Sequence, residues 1–278
     1  MKKAAAYLIL IRPVNFAITF ITVIVAAAIS YISVYPVGKV MLAALTASLT
    51  LSAGNIINDI FDIEIDLVSH PERPLITGVI SVKDAYILYI TIQVISLLLS
   101  FFISEANFLI NILAAWVLFF YSWEIKKIVL LKNIIVSGLT GLVFIYGGAA
   151  AGSYKYAIVP ALFAFLINMT REIVKDMEDV EGDTHYGIIS FPIKAGVVKT
   201  KNTVLGLIIF LIVFTFYPYI IGNYNKYYIL VIIVLVIPVL IYFLYSFRKD
   251  VSKKNLIKLS ILLKLDMVLG LIAIYLGR

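Results

Sequence analysis

Apolar residues fill this chain in long unbroken blocks, without the three-four spacing of an amphipathic helix or the alternation of a half-buried strand. Nine blocks stand out, at about 9–33, 38–60, 84–104, 106–123, 132–152, 156–175, 203–221, 227–247 and 257–276. A hydrocarbon core of about 30 Å is crossed by roughly 20 apolar residues in a helix. The pattern therefore predicts nine transmembrane helices. Breakers fall between the blocks: Pro36 and Gly38, Gly152-Ser153, and Gly222-Asn223 with Asn225. Only Ser104 to Asn107 divide the third block from the fourth. The first block follows Lys2-Lys3 and is interrupted by Arg12-Pro13. It is too long for the apolar core of a signal peptide and is read as a retained first helix.

Composition narrows the class. Apolar residues make up 63% of the chain, charged residues 14%, and the mean hydropathy is +1.06. A soluble domain is about half apolar and a quarter charged. There is no cysteine. A disordered chain, an ordinary cytosolic enzyme and a disulfide-stapled secreted domain are excluded. An all-α polytopic membrane protein remains, read as a single domain over residues 1–278.

Charge sets the orientation. The net charge of +7 raises the question of nucleic acid. The basic residues lie in short loops, however, so no nucleic-acid partner is expected. Of 23 Lys and Arg, nineteen fall on the N-terminal side of the nine spans. Lys39, Lys155, Lys226 and Arg278 fall on the other. The positive-inside rule makes the N-terminal side cytoplasmic in a multi-pass protein of the cell membrane.

The acids are the informative residues. Of 16, six lie between 59 and 84 and six between 172 and 183. Each group sits at the cytoplasmic end of an even-numbered span. Charges at membrane depth cost about 2.5–3.5 kcal/mol on insertion scales, so they mark function. Asp59, Asp62 and Asp66 are spaced by three and four residues, and so are Asp176, Asp179 and Asp183. That spacing puts three carboxylates on one helix face. Nothing nearby in sequence fully neutralises either row. Mg²⁺, which favours a few carboxylates plus phosphate oxygens, would do so. Two rows with Mg²⁺ between them would clamp a diphosphate. Their recurrence four spans apart hints at a repeat of four helices.

The segment from Asn55 through Asn58-Asp59, Asp62 and Asp66 resembles the first aspartate-rich motif, NDxxDxxxD, of the UbiA-type intramembrane prenyltransferases. Lys175-Asp176, Glu178-Asp179 and Gly182-Asp183 resemble the second. Arg12-Pro13 with Asn15, Glu72-Arg73-Pro74-Leu75 with Gly78, and Tyr121-Ser122 before Lys126-Lys127 match as well. The resemblance covers nearly the whole chain. One departure is His70-Pro71-Glu72-Arg73, where many members carry a basic residue shortly before the arginine.

The resemblance implies a fold of nine helices around a central cavity and a cytoplasm-facing active site. It also implies Mg²⁺, as two ions, held by Asn55, Asp59, Asp62, Asp66, Asp176, Asp179 and Asp183. The six aspartates are the implied catalytic residues. Arg12, Asn15, Asn55, Asn58, Arg73, Tyr121, Lys126, Arg171 and Lys175 are the implied diphosphate or phosphate contacts. Residues 171–183 look most like the branch that transfers a geranylgeranyl group from its diphosphate to geranylgeranylglyceryl phosphate in making archaeal ether lipids. The implied partners are a prenyl diphosphate donor, a lipid phosphate acceptor and membrane lipids. An aromatic quinone-precursor acceptor is the alternative within the family. A secondary transporter is the alternative outside it, although the acids lie at span ends and not at the midplane. The loops at about 63–83 and 176–202 are the longest.

Overall fold

The computed structural model describes residues 3–31, 35–185 and 189–278. The described residues contain helices and no strand. Nine of the helical segments are long and apolar enough to cross a membrane. They fall into two compact units, Met1–Lys126 with Val143–Ala157, and Lys127–Leu142 with Ile158–Arg278.

The first unit opens with α1 (Lys3–Ile11), α2 (Pro13–Ser30), α3 (Val37–Phe61) and α4 (Ile63–Ser69). It continues with α5 (Val82–Phe101) and α6 (Glu105–Trp123). The end of α7 (Leu131–Ala150) also belongs to it. Helix α3 is its centre and packs on α2, α5 and α6. Small residues allow this: Ala43, Ala44, Ser48, Ser52, Ala53 and Gly54 are all buried on α3. Ile56 and Ile57 of α3 join Leu10 of α1 and Ile80 in one apolar cluster. Lipid gives helices no hydrophobic reason to associate, so close packing and interhelical hydrogen bonds take over. Thr50 donates to Asn111 Oδ1 at 2.6 Å, and Asn111 Nδ2 donates to Ser96 Oγ at 2.9 Å. Gly147 allows the tightest approach in this unit: a Cβ there would meet the Val23 carbonyl oxygen at 2.6 Å.

The second unit holds the start of α7, then α8 (Ile158–Glu178), α9 (Val180–His185), α10 (Phe191–Ala195) and α11 (Val197–Ile220). A split span follows: α12 (Lys226–Val231), a π-helical turn at Ile232–Val236, and α13 (Ile237–Lys249). Pro238 lacks an N–H and its ring crowds the preceding turn, which the wider π turn accommodates. The last helix is α14 (Lys253–Gly277). Helix α8 packs on both α14 and α11. A Cβ on Gly141 would lie 2.8 Å from the Ala161 carbonyl oxygen, so α7 and α8 approach closely there.

Three sequence expectations shift. The first span begins at Pro13, because the chain breaks at Arg12 and leaves α1 as a separate short helix. The sixth extends three residues past 175 to Glu178, which brings Asp176 inside the helix. The two long acidic loops are partly helical, through α4 in one and α9 and α10 in the other.

Candidate active site

In the first unit, the end of α3 collects three cations around three carboxylates. Arg12 comes from the break between α1 and α2. The residue before a proline is pushed out of the right-handed helical region, and Arg12 takes a left-handed conformation with φ 55°. Such a conformation is uncommon in a non-glycine residue and costs of order 1–3 kcal/mol. Its guanidinium donates to Asp59 Oδ1 at 2.6 Å and to Asn55 Oδ1 at 3.3 Å. Asn15, in the first turn of α2, bonds the Arg12 carbonyl through its backbone N–H. Among the described residues its side chain makes no bond to an acidic residue.

Arg73 arrives on the turn between α4 and α5. That turn is held by backbone bonds from Ile76 and Thr77 to the Arg73 carbonyl and by the buried side chain of Ile80. Arg73 Nη1 donates to Asp66 Oδ2 and lies 3.3 Å from Asp59 Oδ1. One guanidinium thus bridges Asp59 and Asp66, while the break between α3 and α4 at Asp62 means the row does not lie on one continuous helix. Asp59 and Asp66 are both buried. Lys126, just past α6, donates to Asp62 Oδ1. Asn58 Nδ2 donates to Asp62 Oδ2 at 2.7 Å. Tyr121 sits half-buried near the end of α6.

The second cluster lies at the end of α8. Asp176 is buried and takes Lys132 Nζ at 2.7 Å on one oxygen and Asn133 Nδ2 at 2.9 Å on the other. Asp179 is exposed and Asp183 half-buried, and neither has an ion pair among the described residues. Burial pushes the Asp183 carboxyl above the usual range, with the Ser190 hydroxyl and then Lys132 drawing it back. Arg171 Nη1 donates to Glu172 at 3.0 Å, and Lys175 lies 3.7 Å from the same carboxylate. The two clusters share a local form. The middle aspartate interrupts the helix in each, Asp62 between α3 and α4 and Asp179 between α8 and α9.

Sequence reasoning missed two things. The first row is neutralised within the protein, by Arg12 and Lys126 from distant segments and by Arg73. Arg12 and Lys126 were expected at the site as phosphate contacts, not as partners of these carboxylates. Lys132 and Asn133 were also missed, Lys132 being counted only as a loop charge. The faint signal was an amide side chain at the start of an apolar block. Of the two loop histidines, His70 pairs with Glu72 at 3.4 Å, and the His185 side chain lies outside the described residues.

The donor set fits Mg²⁺, a hard cation bound by oxygens. Each cluster carries three aspartates. The amide oxygens of Asn58 and Asn133 are buried and accept no hydrogen bond among the described residues. Among the described residues no three carboxylates or histidines are already gathered as a metal shell. Cations hold oxygens of Asp59, Asp62, Asp66 and Asp176 instead.

Residues 19–265 match the UbiA prenyltransferase family. The chain belongs to that family. It is therefore a prenyltransferase, and the transporter alternative falls. A digeranylgeranylglyceryl phosphate synthase of Methanosphaera stadtmanae is 30% identical over 273 residues, covering 98% of each chain. One from Thermococcus gammatolerans is 34% identical over 269 residues, covering 96% of each. A solved structure concerned with digeranylgeranylglyceryl phosphate synthase in membranes has a TM-score of 0.83 and 34% identity. The match covers 100% of this chain and 99% of that one. A UbiA homolog from Archaeoglobus fulgidus, bound to GPP and Mg²⁺, shares the fold at 22% identity and a TM-score of 0.76, over 97% and 99% of the two chains.

Proposed function

We propose that this UbiA-family protein transfers a geranylgeranyl group from geranylgeranyl diphosphate to geranylgeranylglyceryl phosphate, forming the second ether bond of an archaeal-type membrane lipid. The observation that carries the reading is the near end-to-end similarity to relatives named for that synthesis. The charge arrangement of the site supports it chemically. Two carboxylate clusters, each flanked by Arg and Lys, suit a diphosphate with divalent metal. The active site faces the cytoplasm in this proposal, on the side that the loop charges favour.

In the reaction, the bond between C1 of the donor and its diphosphate oxygen breaks. The electron pair leaves with the diphosphate. The acceptor hydroxyl oxygen attacks C1, and its proton passes to the released diphosphate. Mg²⁺, as two ions, supplies Lewis-acid stabilisation of the charge growing on the diphosphate. Asp59, Asp62, Asp66, Asp176, Asp179 and Asp183, with Asn55, are assigned to hold it. Arg73, Lys126, Arg171 and Lys175 stabilise the departing oxygens as preorganised cations. Arg12 and Asn15 take the acceptor phosphate, Asn58 and Tyr121 bind diphosphate oxygens, and the apolar helices keep water from the allylic centre. Arg12, Arg73 and Lys126, which lie against carboxylates of the first cluster, are the cations assigned to the phosphate oxygens.

The test is metal-dependent transfer by the purified chain in bilayers, followed with Asp59→Ala and Asp179→Ala. Loss in both variants, with helicity and thermal midpoint retained, supports one reaction served by both clusters. Full activity in either variant contradicts it.

A further inference from the structure

We infer that Asn133 is a metal ligand of the second cluster, contributing its side-chain oxygen beside Asp176. The starting point is a half-satisfied amide. Asn133 is 2% exposed. Its Nδ2 donates to Asp176 Oδ2 at 2.9 Å. A carboxylate accepts only, so the amide nitrogen must face it and the amide oxygen must face away. That oxygen is buried and has no donor among the described residues. An amide oxygen is a hard ligand of the kind Mg²⁺ takes alongside carboxylates.

The first cluster contains the same arrangement. Asn58 Nδ2 donates to Asp62 Oδ2 at 2.7 Å, and Asn58 Oδ1 is buried without a donor. There the asparagine stands immediately before the first aspartate of its row. The second row has Lys175 in that place and no asparagine between 169 and 201. Asn133 reaches Asp176 from α7, so the second cluster gains a buried amide oxygen from outside its own motif. Side chains fix its backbone in place. The Asn133 carbonyl accepts from Ser137 Oγ at 2.6 Å, and Asn168 Nδ2 lies 3.5 Å from that hydroxyl. Lys132, 2.7 Å from Asp176 Oδ1, is the charge that metal replaces.

This rests on the proposed metal dependence, so the test separates the two. Binding of Mn²⁺ to the full chain in detergent is read by the loss of the free-ion electron paramagnetic resonance signal, with Mg²⁺ as competitor. Asn133→Ala is expected to weaken Mn²⁺ binding at least tenfold. Asn133→Asp keeps an oxygen at that position and is expected to bind within about threefold of the natural chain, as a ligand role requires. Asn133→Cys provides the chain's only thiol and is expected to shift preference from Mg²⁺ toward Cd²⁺. Equal losses in the Ala and Asp variants, with no Cd²⁺ preference, would reduce Asn133 to a support for Asp176 and overturn the inference. Unchanged binding in Asn133→Ala would overturn it too. If the natural chain binds no Mn²⁺ that Mg²⁺ displaces, the metal-dependent reading itself fails. Thermal midpoints without metal show that each variant is folded.

Discussion

Arg12 and Asp59, 47 residues apart in sequence, are joined by a 2.6 Å charge-assisted hydrogen bond. The bond ties a left-handed break in the first membrane segment to the acidic end of α3. Asp59 is 5% exposed, so removing the arginine leaves a buried charge with Arg73 as its one cationic partner among the described residues. Removing one partner of such a pair is more damaging than removing both. Arg12→Ala is expected to lower stability by about 1–3 kcal/mol. The double variant Arg12→Ala with Asp59→Asn is expected to recover part of that loss. Thermal denaturation in detergent measures both, and strictly additive losses would show that the pair is not coupled.

Three cations on three carboxylates imply that metal and diphosphate bind together. Mg²⁺ alone must displace Arg12, Arg73 and Lys126 from the first cluster with nothing to receive them. Diphosphate provides the receiving oxygens. Mg²⁺ plus inorganic diphosphate is therefore expected to raise the thermal midpoint by more than the two separate shifts combined. Metal added alone loads the second cluster first, where Asp179 and Asp183 have no ion pair among the described residues. A full shift with Mg²⁺ alone, unchanged by diphosphate, would contradict this.

Burial raises the Asp183 carboxyl above its ordinary value. A raised carboxyl keeps its proton to a higher pH, and a proton competes with metal for the same oxygen. Metal binding is thus expected to strengthen as pH rises through the upper carboxylate range toward neutrality. Asp183→Asn is expected to bind more weakly and to lose that part of the pH dependence. Mn²⁺ titrations across pH read both effects directly.

The loop-charge asymmetry predicts sidedness. The absence of cysteine makes single introduced thiols clean reporters. Lys253→Cys, at the start of α14, is expected to be shielded from an impermeant maleimide in intact cells. Lys226→Cys, at the start of α12, is expected to be labelled. The reverse pattern would invert the topology.

The spans were legible because twenty apolar residues in a row have few other uses. The acid rows were legible because three- and four-residue spacing repeats on a helix face. The interruption at Asp62 and at Asp179 was not legible, since no proline or glycine stands there. The partners of the carboxylates were hidden for another reason. Arg12, Lys126 and Lys132 meet their acids across 47, 64 and 44 residues of chain, and tertiary approach leaves no local spacing to read. Asn133 looked like one polar residue at a span entrance until its oxygen was seen buried and unbonded.

The most direct test of the central claim is a product assay on the purified chain with Mg²⁺ and radiolabelled geranylgeranyl diphosphate. Geranylgeranylglyceryl phosphate, 4-hydroxybenzoate and a naphthoate are offered separately as acceptors. The account predicts label transferred to the glyceryl phosphate as an ether, and abolished by a chelator. Transfer only to an aromatic acceptor, or transfer indifferent to the chelator, would contradict it.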